Sequence, residues 1–100
     1  LINNLKSILT YPGIKKSMIG PYDLSSSINQ AGNFKSKKFK SLIEEYNSVS
    51  ESLNKIKGIH VVEPSIKDLD QKINENYQFI AFSTDAIIYD RALSTVMKSI

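Results

Sequence analysis

Three short apolar runs, at residues 14–20, 59–62 and 77–82, alternate with longer stretches in helical rhythm, and that alternation limits the fold more than any other feature. Residues 1–9 put Leu1, Leu5, Ile8 and Leu9 on one helical face before Tyr11-Pro12-Gly13 stops the helix. Met18 and Ile19 centre the first strand. Ser36 is the expected N-cap of the longest helix, running to about Ile56 with Phe39, Leu42, Ile43, Tyr46, Val49, Leu53 and Ile56 as its buried stripe and Gly58 as its stop. Ser65-Ile66-Lys67-Asp68 has the form of a capping box opening a third helix, with Ile66, Leu69 and Ile73 facing inward. Asn76 is a left-handed stop, and the strand after it is apolar on both faces, as buried parallel strands are. The last helix carries Ile87, Ile88, Leu93, Val96, Met97 and Ile100.

The expected order is therefore α-β-α-β-α-β-α, an α/β fold whose short connections suit parallel strands and right-handed crossovers. Three strands cannot close a barrel, and a sheet this small leaves open edges. Together with a start at Leu1 already in helical rhythm, this makes residues 1–100 a single segment expected to be part of a larger domain.

Composition narrows the function classes. With 41% hydrophobic and 23% charged residues, the chain is neither disordered nor fibrous. The longest apolar run, at residues 79–82, is far too short to span a bilayer, and no segment has the order of a signal peptide, so no membrane partner and a cytoplasmic setting are expected. The absence of cysteine removes disulfides, zinc–thiolate sites and thiol nucleophiles. A net charge of +3 rests largely on Lys35, Lys37, Lys38 and Lys40, which read either as a phosphate-binding patch or as the solvated first turn of a helix; with no arginine among them, nucleic acid is not the expected partner.

Few residues offer chemistry. Asp23 follows the first strand and a Gly-Pro turn; it is a candidate to ligate a hard cation, to hold a substrate hydroxyl, or to cap the turn over residues 24–28. His60, the only histidine, lies in the second strand on the face opposite Ile59 and Val61, where a structural role is commoner than a catalytic one. Asp85 reads best as an acid at a helix start, and Glu63 as a rim or solvent residue. No Cys-His or Ser-His-Asp arrangement has a sequence signature here.

Three blocks, taken in order, resemble the C-terminal part of the HpcH/HpaI aldolase family of metal-dependent class II pyruvate aldolases. They are Pro12-Gly13-Ile14 running into Ile19-Gly20-Pro21-Tyr22-Asp23-Leu24-Ser25; Gly58-Ile59-His60-Val61-Val62-Glu63-Pro64; and Phe79-Ile80-Ala81 with Thr84-Asp85. The resemblance spans essentially the whole chain, and the Gly-Pro-x-Asp-Leu-Ser block is its most specific part. It implies the last three βα units of a (β/α)8 TIM barrel of about 250 residues. It also implies that Asp23 is one of two carboxylates holding a divalent ion (magnesium, manganese or cobalt), which as a Lewis acid stabilises the enolate of a small-molecule keto acid substrate. Backbone amides around Gly20, Pro21 and Tyr22 would bind the pyruvate carboxylate; proline lacks the N–H, so the role falls to Gly20, Tyr22 and Asp23. His60 falls where the family lines its pocket, often with an aliphatic residue. Thr84 lies in a stretch that reaches a neighbouring subunit's pocket in homo-oligomers, often hexamers with an exchanged last helix.

The second carboxylate, the arginine and the histidine of the family's chemistry lie upstream, so no catalytic residue is expected within this segment and no activity from it alone. Asn29, Asn33 and Ser83 depart from the family pattern at the pocket rim. The implied activity of the parent protein is cleavage of a 2-keto-3-deoxy sugar acid or a 4-hydroxy-2-oxo acid to pyruvate and an aldehyde. A catalytically silent relative or small anion-binding module is the alternative, and an acyl-CoA ester lyase of the same superfamily the third reading.

Overall fold

The computed structural model describes residues 4–100; Leu1, placed by its spacing on the first helix's apolar face, lies outside them. The elements are α1 (Leu5–Leu9), β1 (Lys16–Ile19), α2 (Pro21–Ser27), α3 (Lys37–Ser52), β2 (Ile56–Val61), α4 (Ile66–Asn74), β3 (Phe79–Phe82) and α5 (Asp85–Lys98). The strands pair in parallel in chain order, with Ile59 opposite Ile19 on one side and Ile80 on the other. The expected order holds, with one helix more than the sequence suggested.

Three boundaries differ from expectation for local reasons. The helix after β1 starts at Pro21, ahead of the turn expected over residues 24–28, because proline's fixed φ and missing N–H suit the first helical position. The long helix stops at Ser52 instead of about Ile56: Asn54 turns left-handed at φ 55°, and the Ile56 amide donates to Lys15 O at 3.0 Å, opening β2. The apolar spacing runs on through this turn, which hid it. Gly58 therefore ends nothing; it lies inside β2, where a Cβ would come within 2.6 Å of Phe79 O and 2.7 Å of Ser17 O. The caps at Ser36 and Ser65 form as expected, their hydroxyls accepting from Phe39 N and Asp68 N, and Asn76 takes its left-handed turn at φ 70°.

The pleat divides the sheet into two unlike faces. Ile19, Ile59 and Val61 pack under the helices with Leu24, Phe39, Tyr46 and Tyr77 to make the core. The Tyr46 hydroxyl binds this face to α3, lying 2.8 Å from Ser17 Oγ and accepting the Gly58 amide at 3.1 Å. The other face is uncovered: Met18 is 47% exposed, Ile56 38% and Phe79 39%. Lys16 reaches across it, its Nζ 4.8 Å from the centre of the Phe79 ring.

Here the expectation for the third strand is corrected. It starts at Phe79 instead of Tyr77, and it is half-buried, because only one of its faces is covered. The inward face expected for Ile66, Leu69 and Ile73 is corrected too: Ile66 and Ile73 are exposed and Leu69 is half-buried. No residue of α5 is buried, and its apolar residues Ile88, Leu93, Val96 and Met97 lie in the open. Among the described residues, no helix is long and apolar enough to cross a membrane.

Candidate functional site

The block from Gly20 to Asp23 turns β1 directly into α2. Gly20 is the N-cap, with extended φ −101° and ψ 110°, and Asp23 stands in the first turn, where a carboxylate favours the helix dipole. Asp23 is thus not the N-cap, because Pro21 has already begun the helix. Leu24 and Ser25 anchor the turn: Leu24 enters the core, and the fully buried Ser25 hydroxyl donates to Tyr22 O at 3.0 Å and accepts from Gly32 N at 3.0 Å.

Gly20 continues the pleat of β1, so a side chain there would stand on the same face as Met18. A Cβ at that position would lie 3.2 Å from Asp23 Oδ2. The Asp23 carboxylate therefore folds back over Gly20, onto the uncovered face of the sheet at the C-terminal end of its first strand. It takes part in none of the ion pairs among the described residues.

His60 occupies the same end of the same face one strand away. It pairs with Ala81 in register, and Gly20 comes level with it one step beyond the Ile19–Ile59 pair. Its Nε2 lies 2.9 Å from the Ser83 carbonyl oxygen, which ties β2 to the start of α5. Ser83 turns left-handed at φ 56°, is 7% exposed, and keeps a buried Oγ without a partner.

Gly20, Asp23 and His60 thus stand at the same end of the uncovered face, on neighbouring strands. The Tyr22 ring turns aside to meet Phe34 edge-on at 5.0 Å. That ring lines a cavity of about 300 Å3 between α3 and α4, which also touches Pro21, His60, Phe39 and Tyr77 but neither Gly20 nor Asp23. Thr84 is not brought to this point. It is exposed and caps α5, its hydroxyl accepting from Ile87 N at 3.2 Å.

The remaining candidates settle into structural places. Asp85 Oδ1 accepts from Ala86 N, and Glu63 binds Arg91 of α5 at 2.9 Å. The hydrogen bonds Arg91 donates to Glu63, and the opposite charge they meet there, push its pKa further up. Lys35, Lys37, Lys38 and Lys40 are exposed around the start of α3, with Phe39 alone among them turned into the core, as a solvated first turn requires.

To a metal the arrangement offers one carboxylate. A hard cation wants about six oxygens, and Asp23 offers a carboxylate over an open face that a side chain at position 20 would obstruct. Among the described residues, no group of three or more His, Asp or Glu side chains could hold a metal by itself. Sequence reasoning missed the space that Gly20 leaves beside the Asp23 carboxylate and the left-handed turn at Ser83. Only the Gly-Pro pair hinted at the first, and nothing marked a serine as left-handed.

No family model and no curated protein matches the sequence. Solved structures do match the fold. An HpcH/HpaI aldolase/citrate lyase family protein from Burkholderia cenocepacia J2315 superposes with a TM-score of 0.89 at 18% identity, over 98% of this chain and 37% of that one. The HpcH/HpaI aldolase from Desulfitobacterium hafniense DCB-2 gives 0.86 at 18% identity, over 98% and 38%. Citrate synthase SbnG gives 0.77 at 15%, over 98% and 40%. The chain spans about two fifths of the length of these proteins, and its three parallel strands and their helices are the fold of that part of a TIM-barrel aldolase.

Proposed function

We propose that this chain supplies part of the active site of a divalent-metal-dependent carbon–carbon lyase, a class II pyruvate aldolase acting on a 2-keto-3-deoxy sugar acid or a 4-hydroxy-2-oxo acid. The observation that carries the reading is the Asp23 carboxylate folded over Gly20 at the C-terminal end of a parallel strand, the end at which barrel enzymes gather their chemistry. Magnesium, manganese or cobalt is the expected ion, and the chemistry it supplies when bound is Lewis-acid polarisation of the keto acid.

The chain's own residues divide the remaining work. Asp23 holds the ion. The amides of Tyr22 and Asp23, in the first helical turn and without helical partners, donate to the substrate carboxylate, joined by that of Gly20. Pro21 fixes the turn and contributes no donor. His60 borders the substrate one strand away, and Thr84, at the exposed start of α5, serves a neighbouring subunit's pocket in a homo-oligomer. The general base and the second carboxylate come from upstream units, so the segment alone has no activity.

Calorimetry of manganese and pyruvate binding tests this on the chain alone and on the full-length protein. Tight binding only in the longer protein, abolished by Asp23→Ala, is the expected result. Absence of metal binding there would return Asp23 to a first-turn acid and leave a likeness of fold alone. The match to a protein named a citrate synthase favours one second reading, carbon–carbon bond formation toward a tricarboxylate on the same frame; product analysis with pyruvate and an aldehyde separates the two.

A further inference from the structure

His60 carries more information than a wall of the pocket. A carbonyl oxygen only accepts, so the 2.9 Å contact with Ser83 O fixes Nε2 as the protonated nitrogen. In the neutral ring Nδ1 is then a bare acceptor. The neighbours of His60 across the uncovered face are Ala81 and Gly20, a methyl group and a hydrogen, so no bulky side chain in the sheet flanks the ring. Adjacent strands stand about 4.8 Å apart. A keto acid held at Asp23 would have His60 as its neighbour on the next strand, on the side where its chain can extend over β2.

We infer that His60 is a specificity-determining residue, whose Nδ1 accepts a hydrogen bond from a hydroxyl on the aldehyde-derived half of the substrate. The inference rests on the aldolase reading and names the substrate class within it: hydroxylated aldehydes in preference to their deoxy counterparts. Ser83 contributes by holding the ring in place through its carbonyl oxygen.

The test compares kcat/KM for the addition of pyruvate to glycolaldehyde and to acetaldehyde in the full-length protein, in wild type, His60→Leu and His60→Gln. Wild type should favour glycolaldehyde by about tenfold or more. His60→Leu should bring the ratio near one with the KM for pyruvate unchanged. His60→Gln should keep the preference, because its amide N–H can donate to Ser83 while its Oε1 accepts from the substrate. A wild-type ratio retained in His60→Leu overturns the specificity role and leaves the aldolase reading standing; no turnover with either aldehyde in wild type overturns both. Should His60→Leu fail to fold, nitrogen NMR of the wild-type protein decides. Protonation at Nε2 with Nδ1 bare supports the inference, and the opposite tautomer overturns it.

Discussion

Asp23 and Gly20 share one small space: the Asp23 Oδ2 lies 3.2 Å from where a side chain at Gly20 would begin. The Gly20 backbone is in a conformation open to any residue, so Gly20→Ala should fold, with a stability change within about 1 kcal/mol. Its methyl group would nevertheless displace the carboxylate. Manganese affinity of the full-length protein should fall about 10- to 100-fold, the usual effect of disturbing a ligand's support. Unchanged affinity by calorimetry would mean that the carboxylate swings clear and that Gly20 has no part in placing it.

The Tyr46 hydroxyl joins α3 to two strands, accepting from Gly58 N and bonding Ser17 Oγ. Tyr46→Phe keeps the ring and removes these bonds, while the Gly58 amide keeps its ladder partner, the Ser17 carbonyl oxygen of β1. A loss of about 0.5–1.5 kcal/mol in urea denaturation is expected. Ser17→Ala should cost less, because the Tyr46–Gly58 bond remains. Equal losses from the two variants would show that the Tyr46–Gly58 bond contributes little.

Gly58 faces a harder limit. A methyl group there meets the carbonyl oxygens of both flanking strands, at 2.6 and 2.7 Å, and the edge of the Phe79 ring at 2.9 Å. Backbone on both sides cannot step aside as a flexible side chain does. Gly58→Ala should therefore destabilise by about 3 kcal/mol or more, the upper range for overpacking. A melting temperature close to wild type would show that the sheet can open at this point.

These relationships mark how far the sequence could be read. The order of strands and helices was legible because apolar runs and helical stripes have different periods, and the hydroxyl caps at Ser36 and Ser65 form where the pattern put them. The end of α3 was not, since Leu53 and Ile56 keep the helical spacing through a turn that Asn54 makes alone. Nor was the exposure of Ile66, Ile73 and the apolar residues of α5. Periodicity reports which face avoids water, not whether this stretch of chain supplies the cover. At the site, Asp23 was legible from its motif, whereas its place over Gly20 and the His60–Ser83 bond depend on register between strands far apart in sequence.

Tyr77 offers a test of the covered face through pH. The residue is 3% exposed and its hydroxyl donates to Asn47 Oδ1 at 3.0 Å. Burial, the largest influence, pushes the phenol above its ordinary value, and the nearby Glu75, Tyr46 and Glu51 add to the rise. A folded-state value above the unfolded one means that the contribution is fully present below about pH 10, the unfolded value of tyrosine. It is lost as pH climbs through the folded value, because the unfolded chain gives up the proton more readily. Urea denaturation of wild type and Tyr77→Phe from pH 8 to 11 isolates this from the lysines titrating in the same window. The stability difference between the two proteins should stay level up to about pH 10 and then shift in favour of the phenylalanine variant. Parallel curves across the whole range would mean that Tyr77 ionises as readily in the folded protein as in the unfolded chain, and that the face under α3 and α4 admits water at this ring.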